Sequence, residues 1–269
     1  MSAVATQLVR RPSVVAGTLM TAATLFVAFA GPALAGSPDE FVGAPFQGPG
    51  GDAPLGTDVM GRSVLARLLA GGRDFLLQGI LAAALGVGAG VLLGVALASA
   101  SRRVADLVLS LNDTVIVLPQ IVIALLVLTR LGATPLTLVL VVGIVHVPQS
   151  ARVVRAATQR VVTQDYYDSA RTLGASRRRL FTGEVLPNIA GVVLLELSIR
   201  LAISVVVLAS LSYLGFGSTD TQWGRMIHEN QGGLTIQPWA VLAPVICTGV
   251  FLIGVNLLRG GTVRALAVR

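Results

Sequence analysis

Long apolar runs separated by short polar segments dominate the chain. Crossing a hydrocarbon core of about 30 Å takes roughly 20 helical residues. Runs of that order lie at 14–35, 75–100, 106–130, 134–150, 189–212 and 239–258. They predict an all-α integral membrane protein with six transmembrane helices. One helix falls in the N-terminal segment 1–36, and the other five belong to a core of residues 75–269.

The composition supports this class and excludes several activities. Hydrophobic residues make up 54% of the sequence and charged residues 12%, with a mean hydropathy of +0.80. All 20 basic residues are Arg. Without Lys the chain can build neither a Walker-type phosphate loop nor a Schiff base, so it cannot be its own ATPase. The single Cys247 and the separated His146 and His228 give no metal-ligand set, and we expect no cofactor in this chain.

The distribution of arginine predicts an orientation. If the N-terminus lies inside, fourteen of the 20 arginines are cytoplasmic: Arg10, Arg11, Arg102, Arg103, Arg152, Arg155, Arg160, Arg171, Arg177, Arg178, Arg179, Arg259, Arg264 and Arg269. This positive-inside pattern predicts that both termini are cytoplasmic. The net charge of +7 therefore indicates a membrane protein rather than a nucleic-acid partner. An alternative reads Arg10, Arg11 and Ala33–Ala35 as parts of a signal peptide, whose cleavage would leave five spans.

Residues 37–74 are predicted to form an external loop that contains a surface amphipathic helix. Apolar residues recur there at helical spacing: Val59, Met60, Val64, Leu65, Leu68 and Leu69. Such a segment can lie along the membrane surface. An ordinary packed loop helix fits the same pattern.

Several residues within the spans carry specific expectations. The repeat of Ala82, Gly86, Gly90, Gly94 and Ala98 predicts a close helix contact.

Proline and charged side chains in the spans add three more. Pro119 is expected to kink the third span. Glu196 and Arg200 are one helical turn apart, which predicts a structural ion pair, with a substrate contact as the alternative. Asp113 either faces a cavity or reaches the cytoplasmic headgroups.

The longest predicted cytoplasmic loop, residues 151–188, has a helical pattern of its own. Val162, Tyr166, Ala170 and Leu173 share one face, and Gly174 suits a left-handed helix end. Ser176 can cap a second short helix that stops at Pro187. Arg177, Arg178 and Arg179 oppose the dipole of that helix, so they indicate anionic headgroups or an acidic partner. Two such helices would form a knob that docks into another protein, whereas the alternative is a plain connecting loop.

These residues resemble the EAA loop of bacterial ABC-importer permeases. The match runs over Asp168-Ser169-Ala170, then Gly174, then Leu186-Pro187, with Asp in place of Glu and Ser in place of the first Ala. Three other stretches resemble the C-type permease of dipeptide, oligopeptide and nickel importers: LGTDVMGRSVLARLLAGGRDFLLQG, LSYLGFG with QWGRMI, and PWAVLAPVICTGVFLIGVNLLRGG. The resemblance covers about residues 54–265.

The resemblance implies a five-helix permease core preceded by one extra helix in the bacterial inner membrane. The ATPase contact would be formed by Asp168, Ser169, Ala170, Gly174, Leu186 and Pro187. Gln222, Trp223 and Gly224 would meet an external substrate-binding protein, with a membrane anchor as the alternative role of Trp223. The other implied partners are a homologous permease, making a heterodimer, and two ATPase domains that bind ATP and Mg²⁺.

The resemblance further implies a non-catalytic subunit of an ATP-driven peptide importer that works by alternating access. Nickel, glutathione or haem are alternative cargoes of the same machinery. Two other classes stay open: an ATP-independent channel or secondary transporter, and a membrane enzyme using Asp113 or His146.

Overall fold

The structure is a computed structural model that describes residues 12–266 and the side chains of residues 12–261. Arg10, Arg11 and Arg269 lie outside the described residues. Helices α1 to α10 are, in chain order, Pro12–Leu34, Val64–Ala98, Arg102–Val117, Gln120–Leu131, Pro135–Val162, Asp165–Thr172, Arg177–Arg179, Leu186–Leu211, Trp223–Asn230 and Trp239–Leu266. A π-helical turn at Leu180–Val185 joins α7 to α8, and another follows α8 at Ser212–Phe216.

Five helices in the described part of the chain are long and apolar enough to cross a membrane. They are α1, α2, α5, the helix that runs from Arg177 to Phe216, and α10. The pair α3 and α4 passes the same test jointly, although the two helices meet at 85°. The predicted all-α membrane protein is therefore confirmed, with six crossings when this bent pair counts as one.

Pro119 marks the break between α3 and α4. Leu118 adopts an extended conformation, with φ −72° and ψ 132°, and Pro119 precedes the first residue of α4. Proline has no N–H to donate and disfavours a helical conformation in the residue before it. The predicted kink is confirmed, and it is large enough to divide the third span into two helices.

The bundle has two ends with different chemistry. The end that carries residues 99–101 and 163–185 is called the Arg-rich end, because the arginines at positions 102, 103, 171 and 177–179 are exposed there. The opposite end carries residues 35–63 and 217–238 and is called the cap. Helix α5 extends to Val162 at the Arg-rich end. The predicted loop 151–188 therefore begins as a continuation of a spanning helix.

Glycines bring α2 and α5 into close contact. Gly86 packs against Gly143 and His146, and Gly90 packs against Ser150. Gly94 lies against the α5 backbone at Ala151 and Arg155. A side chain at any of these glycines would meet atoms of α5, so the absence of a Cβ permits the approach. The predicted small-residue contact is confirmed, and α5 is the helix that fills it.

The predicted surface amphipathic helix is not a separate element. Ser63 caps α2, accepting a hydrogen bond from the N–H of Ala66, and the helix then runs unbroken from Val64 to Ala98. Val64 and Leu68 are buried, so the apolar face of residues 64–74 packs inside the bundle. The helical spacing of Val64, Leu65, Leu68 and Leu69 belongs to the first turns of a spanning helix. Residues 36–63, which precede it, form an irregular loop.

A buried ion cluster holds this loop in the cap. The Asp58 carboxylate accepts hydrogen bonds from Arg62 Nε and Arg67 Nη1, each at 2.8 Å. Arg67 Nη1 also lies 2.9 Å from Glu229 Oε2 of α9, and Arg67 Nη2 donates to the carbonyl of Asp220 at 2.7 Å. Asp58 and Arg67 are completely buried. The cluster thus joins the loop, α2 and α9.

We expect Arg67→Met to destabilise the cap. The substitution leaves the buried Asp58 without one of its two cations, and breaking a buried pair by removing one partner costs about 3–5 kcal/mol. Thermal unfolding in detergent and protease cleavage within residues 36–63 measure the effect. Arg73→Met is the matched control, because Arg73 is exposed on the same helix. Equal stability of the two variants would contradict a structural role for the cluster.

We expect Gly90→Leu to separate α2 from α5. The added side chain meets Ser150 and Ala151, and such overpacking costs about 1–3 kcal/mol. Gly88→Leu is the control on the same helix, because a Cβ at Gly88 meets nothing within 4 Å. The melting temperature in detergent should fall for Gly90→Leu and stay near the wild-type value for Gly88→Leu. A drop of the same size in both would show that the contact is not specific.

Candidate coupling site

Helix α6 projects from the Arg-rich end of the bundle. It covers Asp165–Thr172, and none of its residues is buried. Asp165 and Asp168 lie in its first turn, where negative charge is favourable to the helix dipole. The helix follows α5 after only a short turn at Thr163 and Gln164. A polar, exposed helix is therefore attached directly to a spanning helix.

Gly174 ends α6 as predicted, in the left-handed conformation with φ +81°. The N–H of Gly174 donates to the carbonyl of Arg171 at 3.0 Å, and the N–H of Ala175 donates to the carbonyl of Ala170 at 3.1 Å. These two bonds form a Schellman motif, which satisfies carbonyls at the helix end. Residues with a Cβ are strained in this conformation.

The second helix of the loop starts as predicted but does not stop where predicted. The Ser176 hydroxyl accepts a hydrogen bond from the N–H of Arg179 and caps α7. The chain then passes through the π-helical turn Leu180–Val185 straight into α8. Pro187 lies in the first turn of α8. Proline is tolerated there because the adjoining π turn already interrupts the regular hydrogen-bond ladder.

The residues assigned to ATPase coupling occupy two places. Asp168, Ser169, Ala170 and Gly174 lie together on α6 and its terminal turn. Leu186 and Pro187 lie at the start of α8, beyond the π turn. The structure therefore brings the first four residues together and places the last two apart from them, at the start of α8.

A groove of about 290 Å³ separates the end of α6 from the π turn. It is lined by Ala170, Leu173, Gly174, Ala175, Arg179, Leu180 and Glu184. Leu173 is 88% exposed at its edge. Arg177, Arg178 and Arg179 are all exposed beside it. The site thus combines one exposed apolar side chain with a dense positive charge.

Glu196 and Arg200 lie together inside the bundle. Arg200 Nε donates to Glu196 Oε1 at 2.6 Å, and both side chains are almost fully buried. The pair also reaches across to α5. The Ser150 hydroxyl donates to Glu196 Oε1 at 3.2 Å, and Arg200 Nη1 donates to Gln149 Oε1.

A third polar contact extends this bridge between α5 and α8. His146 Nε2 and Ser204 Oγ are 2.9 Å apart, and both residues are completely buried. Sequence reasoning missed the α5 partners of Glu196 and Arg200. Their spacing along α5 was visible, but no local signal says which helix faces α8.

The residues assigned to an external binding protein lie inside the chain's own fold. Trp223 is completely buried, packs at a tilt against Phe75 with the ring centroids 5.6 Å apart, and donates from Nε1 to the carbonyl of Leu68 at 2.9 Å. Gln222 is buried and donates to Ser218 Oγ. Gly224 packs against Ala209 and Ser212. This burial contradicts the predicted contact, because no side chain here is free to meet another protein.

Asp113 has a partner that the sequence did not reveal. It forms an ion pair with Arg152 of α5. The two side chains are 56% and 50% exposed, unlike the buried Glu196 and Arg200. Arg152 is far from Asp113 in the sequence, so only the packing of α3 against α5 brings them together.

Comparison with known proteins agrees with this architecture. A family model described as the inner membrane component of binding-protein-dependent transport systems matches residues 86–267. The glutathione transport system permease protein of Pectobacterium atrosepticum is 30% identical over 218 residues, which cover 80% of this chain and 72% of that protein. A putative peptide transport system permease protein of Brucella suis is also 30% identical over 218 residues, covering 80% and 73%.

A third relative is more informative in its name. The di/tripeptide transport system permease protein of Pseudomonas aeruginosa is 29% identical over 209 residues, which cover 77% of this chain and 69% of that protein. The family model extends over more than half of the described helices, including α5, α6 and α8. The chain therefore belongs to the family of inner membrane components of binding-protein-dependent transport systems.

Proposed function

We propose that this chain is the permease subunit of an ATP-driven importer of short peptides. It forms half of the translocation pathway and is not itself an enzyme, and ATP and Mg²⁺ are bound by separate ATPase subunits. The observation that carries the proposal is the exposed helix α6, which is joined through short connections to two spanning helices, α5 and α8.

The geometry of α6 fits a docking element. Tyr167 packs against an apolar cluster of the bundle and attaches the helix to it, whereas Asp168 and Ser169 are exposed and available to a partner. Ala170 is half-buried in the lining of the groove, and Gly174 keeps the turn compact. Leu186 and Pro187 would act differently, by fixing the direction in which α8 leaves the loop.

The motion of the ATPases would enter the bundle along two routes. ATP binding draws the two ATPase domains together and displaces α6, which moves α5 at one end of the loop and α8 at the other. Because three polar contacts join α5 to α8 in the apolar layer, the two helices would move as one body. The pathway between this chain and its partner permease then opens outward or inward.

The assembly would place the Arg-rich end in the cytoplasm. The exposed arginines there fit the positive-inside pattern of a bacterial inner membrane protein. Both termini are then cytoplasmic, and the cap faces the external binding protein. A homologous permease subunit and two ATPase domains complete the complex.

Short peptides are the proposed cargo because two of the three relatives described above are named for peptide or di/tripeptide transport. Glutathione is the second candidate, because the third relative is named for it. Both are small, flexible molecules with charged ends.

We expect proteoliposomes that contain the complete complex to accumulate labelled dipeptide with ATP and loaded binding protein. Uptake of glutathione but not of dipeptide would favour the second candidate, and uptake without ATP would contradict the mechanism.

We expect Gly174→Leu to uncouple the permease from its ATPase without preventing membrane insertion. A left-handed residue with a Cβ costs about 1–2 kcal/mol, so the turn would rearrange and α6 would be displaced from its docked position. Because 1.4 kcal/mol is a factor of ten in affinity, binding of the ATPase subunit should weaken by about tenfold. Co-purification of the ATPase subunit and ATP-driven uptake measure the two effects.

Two control variants isolate the role of the turn. Gly174→Asn should retain coupling, because Asn tolerates the left-handed conformation. Gly132→Leu also strains the backbone, at φ +78° and ψ 157° in the exposed turn between α4 and α5, far from α6. It should leave ATPase binding unchanged. Full ATPase binding and full uptake by Gly174→Leu would argue against docking through this loop.

A further inference from the structure

Helix α3 exposes two surfaces of opposite character. One is an apolar stripe of exposed residues at helical spacing: Val104, Leu107, Leu111 and Val115. The other carries the exposed charges of Arg102, Asp106 and Asp113. Leu111 and Asp113 are two positions apart, which places them about 160° apart around the helix. The two surfaces of α3 therefore require different surroundings.

Exposed apolar side chains flank the Asp113–Arg152 pair on three helices, which indicates that the pair lies at the level of the apolar layer: Leu92 of α2, Leu111 of α3 and Val153 of α5. Gly90 packs against Ser150, and Gly94 packs against Ala151, so Arg152 lies level with these two glycines of α2. Helix α2 continues from there to Ala98. At 1.5 Å per residue, the pair is about 6 to 12 Å from the end of α2 at the Arg-rich end.

Half-exposed charges at this depth need water. Charged side chains within a membrane segment face the interior of a bundle or a water-filled cavity, because hydrocarbon does not solvate them. The apolar stripe of α3 can contact lipid, and the charged face is directed away from it. Asp113 and Arg152 keep about half of their side-chain surface exposed even while paired. The surface that they expose is therefore the wall of an aqueous space.

We propose that Asp113 and Arg152 line the inner half of the translocation pathway and bind the charged ends of a passing peptide. Arg152 would bind the α-carboxylate, and Asp113 would bind the α-ammonium group. This assignment rests on the proposed function, since it names the part of the pathway that meets a zwitterionic cargo.

The pair suits a site that must release what it binds. Asp113 and Arg152 are already paired in the empty pathway. A bound peptide replaces this one ion pair by two, one at each of its ends, and the original pair forms again when the peptide leaves. Gln149, one turn along α5, continues the polar surface toward Arg200, to which it is hydrogen bonded. The buried Glu196 is bonded to Arg200 and Ser150, and it holds this deeper part of the surface in place.

Cysteine labelling tests whether Asp113 faces water. In a Cys247→Ser background, Asp113→Cys and Leu111→Cys place thiols on opposite faces of α3 in the assembled complex. A membrane-impermeant maleimide applied from the Arg-rich side should label Asp113→Cys about tenfold faster than Leu111→Cys. Trapping the complex with ATP and vanadate should slow labelling at position 113.

Two results would overturn the pathway assignment. Equal labelling at positions 111 and 113 would mean that both faces of α3 have the same surroundings. A labelling rate at position 113 that does not change on trapping would place Asp113 among the headgroups rather than in a gated pathway. Neither result depends on the identity of the cargo.

Transport tests whether the pair binds peptide. Asp113→Asn and Arg152→Gln should each lower uptake of a dipeptide with neutral side chains about five- to tenfold per ATP hydrolysed, the loss expected for about 1 kcal/mol of charge interaction. Asp106→Asn is the matched control on the same helix, because Asp106 pairs with Arg102 at 3.7 Å nearer the Arg-rich end. It should retain uptake within a factor of about two.

The outcomes separate this inference from the proposed function. Unchanged uptake in both Asp113→Asn and Arg152→Gln would overturn the cargo contact and leave the importer intact. A wild-type complex that takes up no peptide would overturn the proposed function and the peptide contact together. The labelling contrast would then still decide whether these residues line an aqueous pathway.

Discussion

The close contact between α2 and α5 is the constraint on which the rest of the bundle depends. It is possible only because Gly86, Gly90 and Gly94 present no side chains to α5. Water does not drive helices together inside a lipid bilayer, so association relies on van der Waals contact and interhelical hydrogen bonds. Once α5 is held against α2, its other faces are fixed in direction. One face meets α8, another meets α3, and its far end carries α6.

The polar contacts of α5 then follow from this placement. Glu196 and Arg200 reach Ser150 and Gln149, and His146 meets Ser204. In hydrocarbon these groups have no alternative partners, so the contacts specify which face of α8 adjoins α5. The cap is organised by a different rule. There, a fully buried carboxylate, Asp58, gathers two arginines and so orders a loop that has almost no regular secondary structure.

The sequence was most informative where the signal is local. Apolar runs located the spanning helices, the small-residue repeat identified the close face of α2, and Gly174 and Ser176 marked the turn and the cap of the projecting loop. Local periodicity could not separate a surface helix from the first turns of α2, because Val64 and Leu68 have the same spacing in either case. The predicted contact at Trp223 was wrong for a related reason. An aromatic residue near the membrane boundary can be a membrane anchor, a contact to another protein or a core residue, and only its packing against Phe75 decides between these roles.

Pairings between distant segments could not be predicted from one sequence. Asp113 with Arg152, and Arg67 with Glu229, join residues on different helices. Their charges were visible, but a charge states only that a partner is required. The depth at which two helices cross determines which partner is within reach. Glycines of α2 set that depth, Gly90 and Gly94 against α5 and Gly71 against Thr221, which precedes α9.

The unbroken course of the chain from Arg177 to Leu211 has a mechanical consequence. At 1.5 Å per residue these residues make a rod of about 50 Å, whereas the hydrocarbon core is about 30 Å thick. A substantial length therefore extends past the apolar layer, and the chain stays helical along it, through the π turn at Leu180–Val185. Because the polar bridge joins this rod to α5, a lateral push on the protruding tip would tilt both helices together. Their opposite ends, near the cap, would then swing the other way.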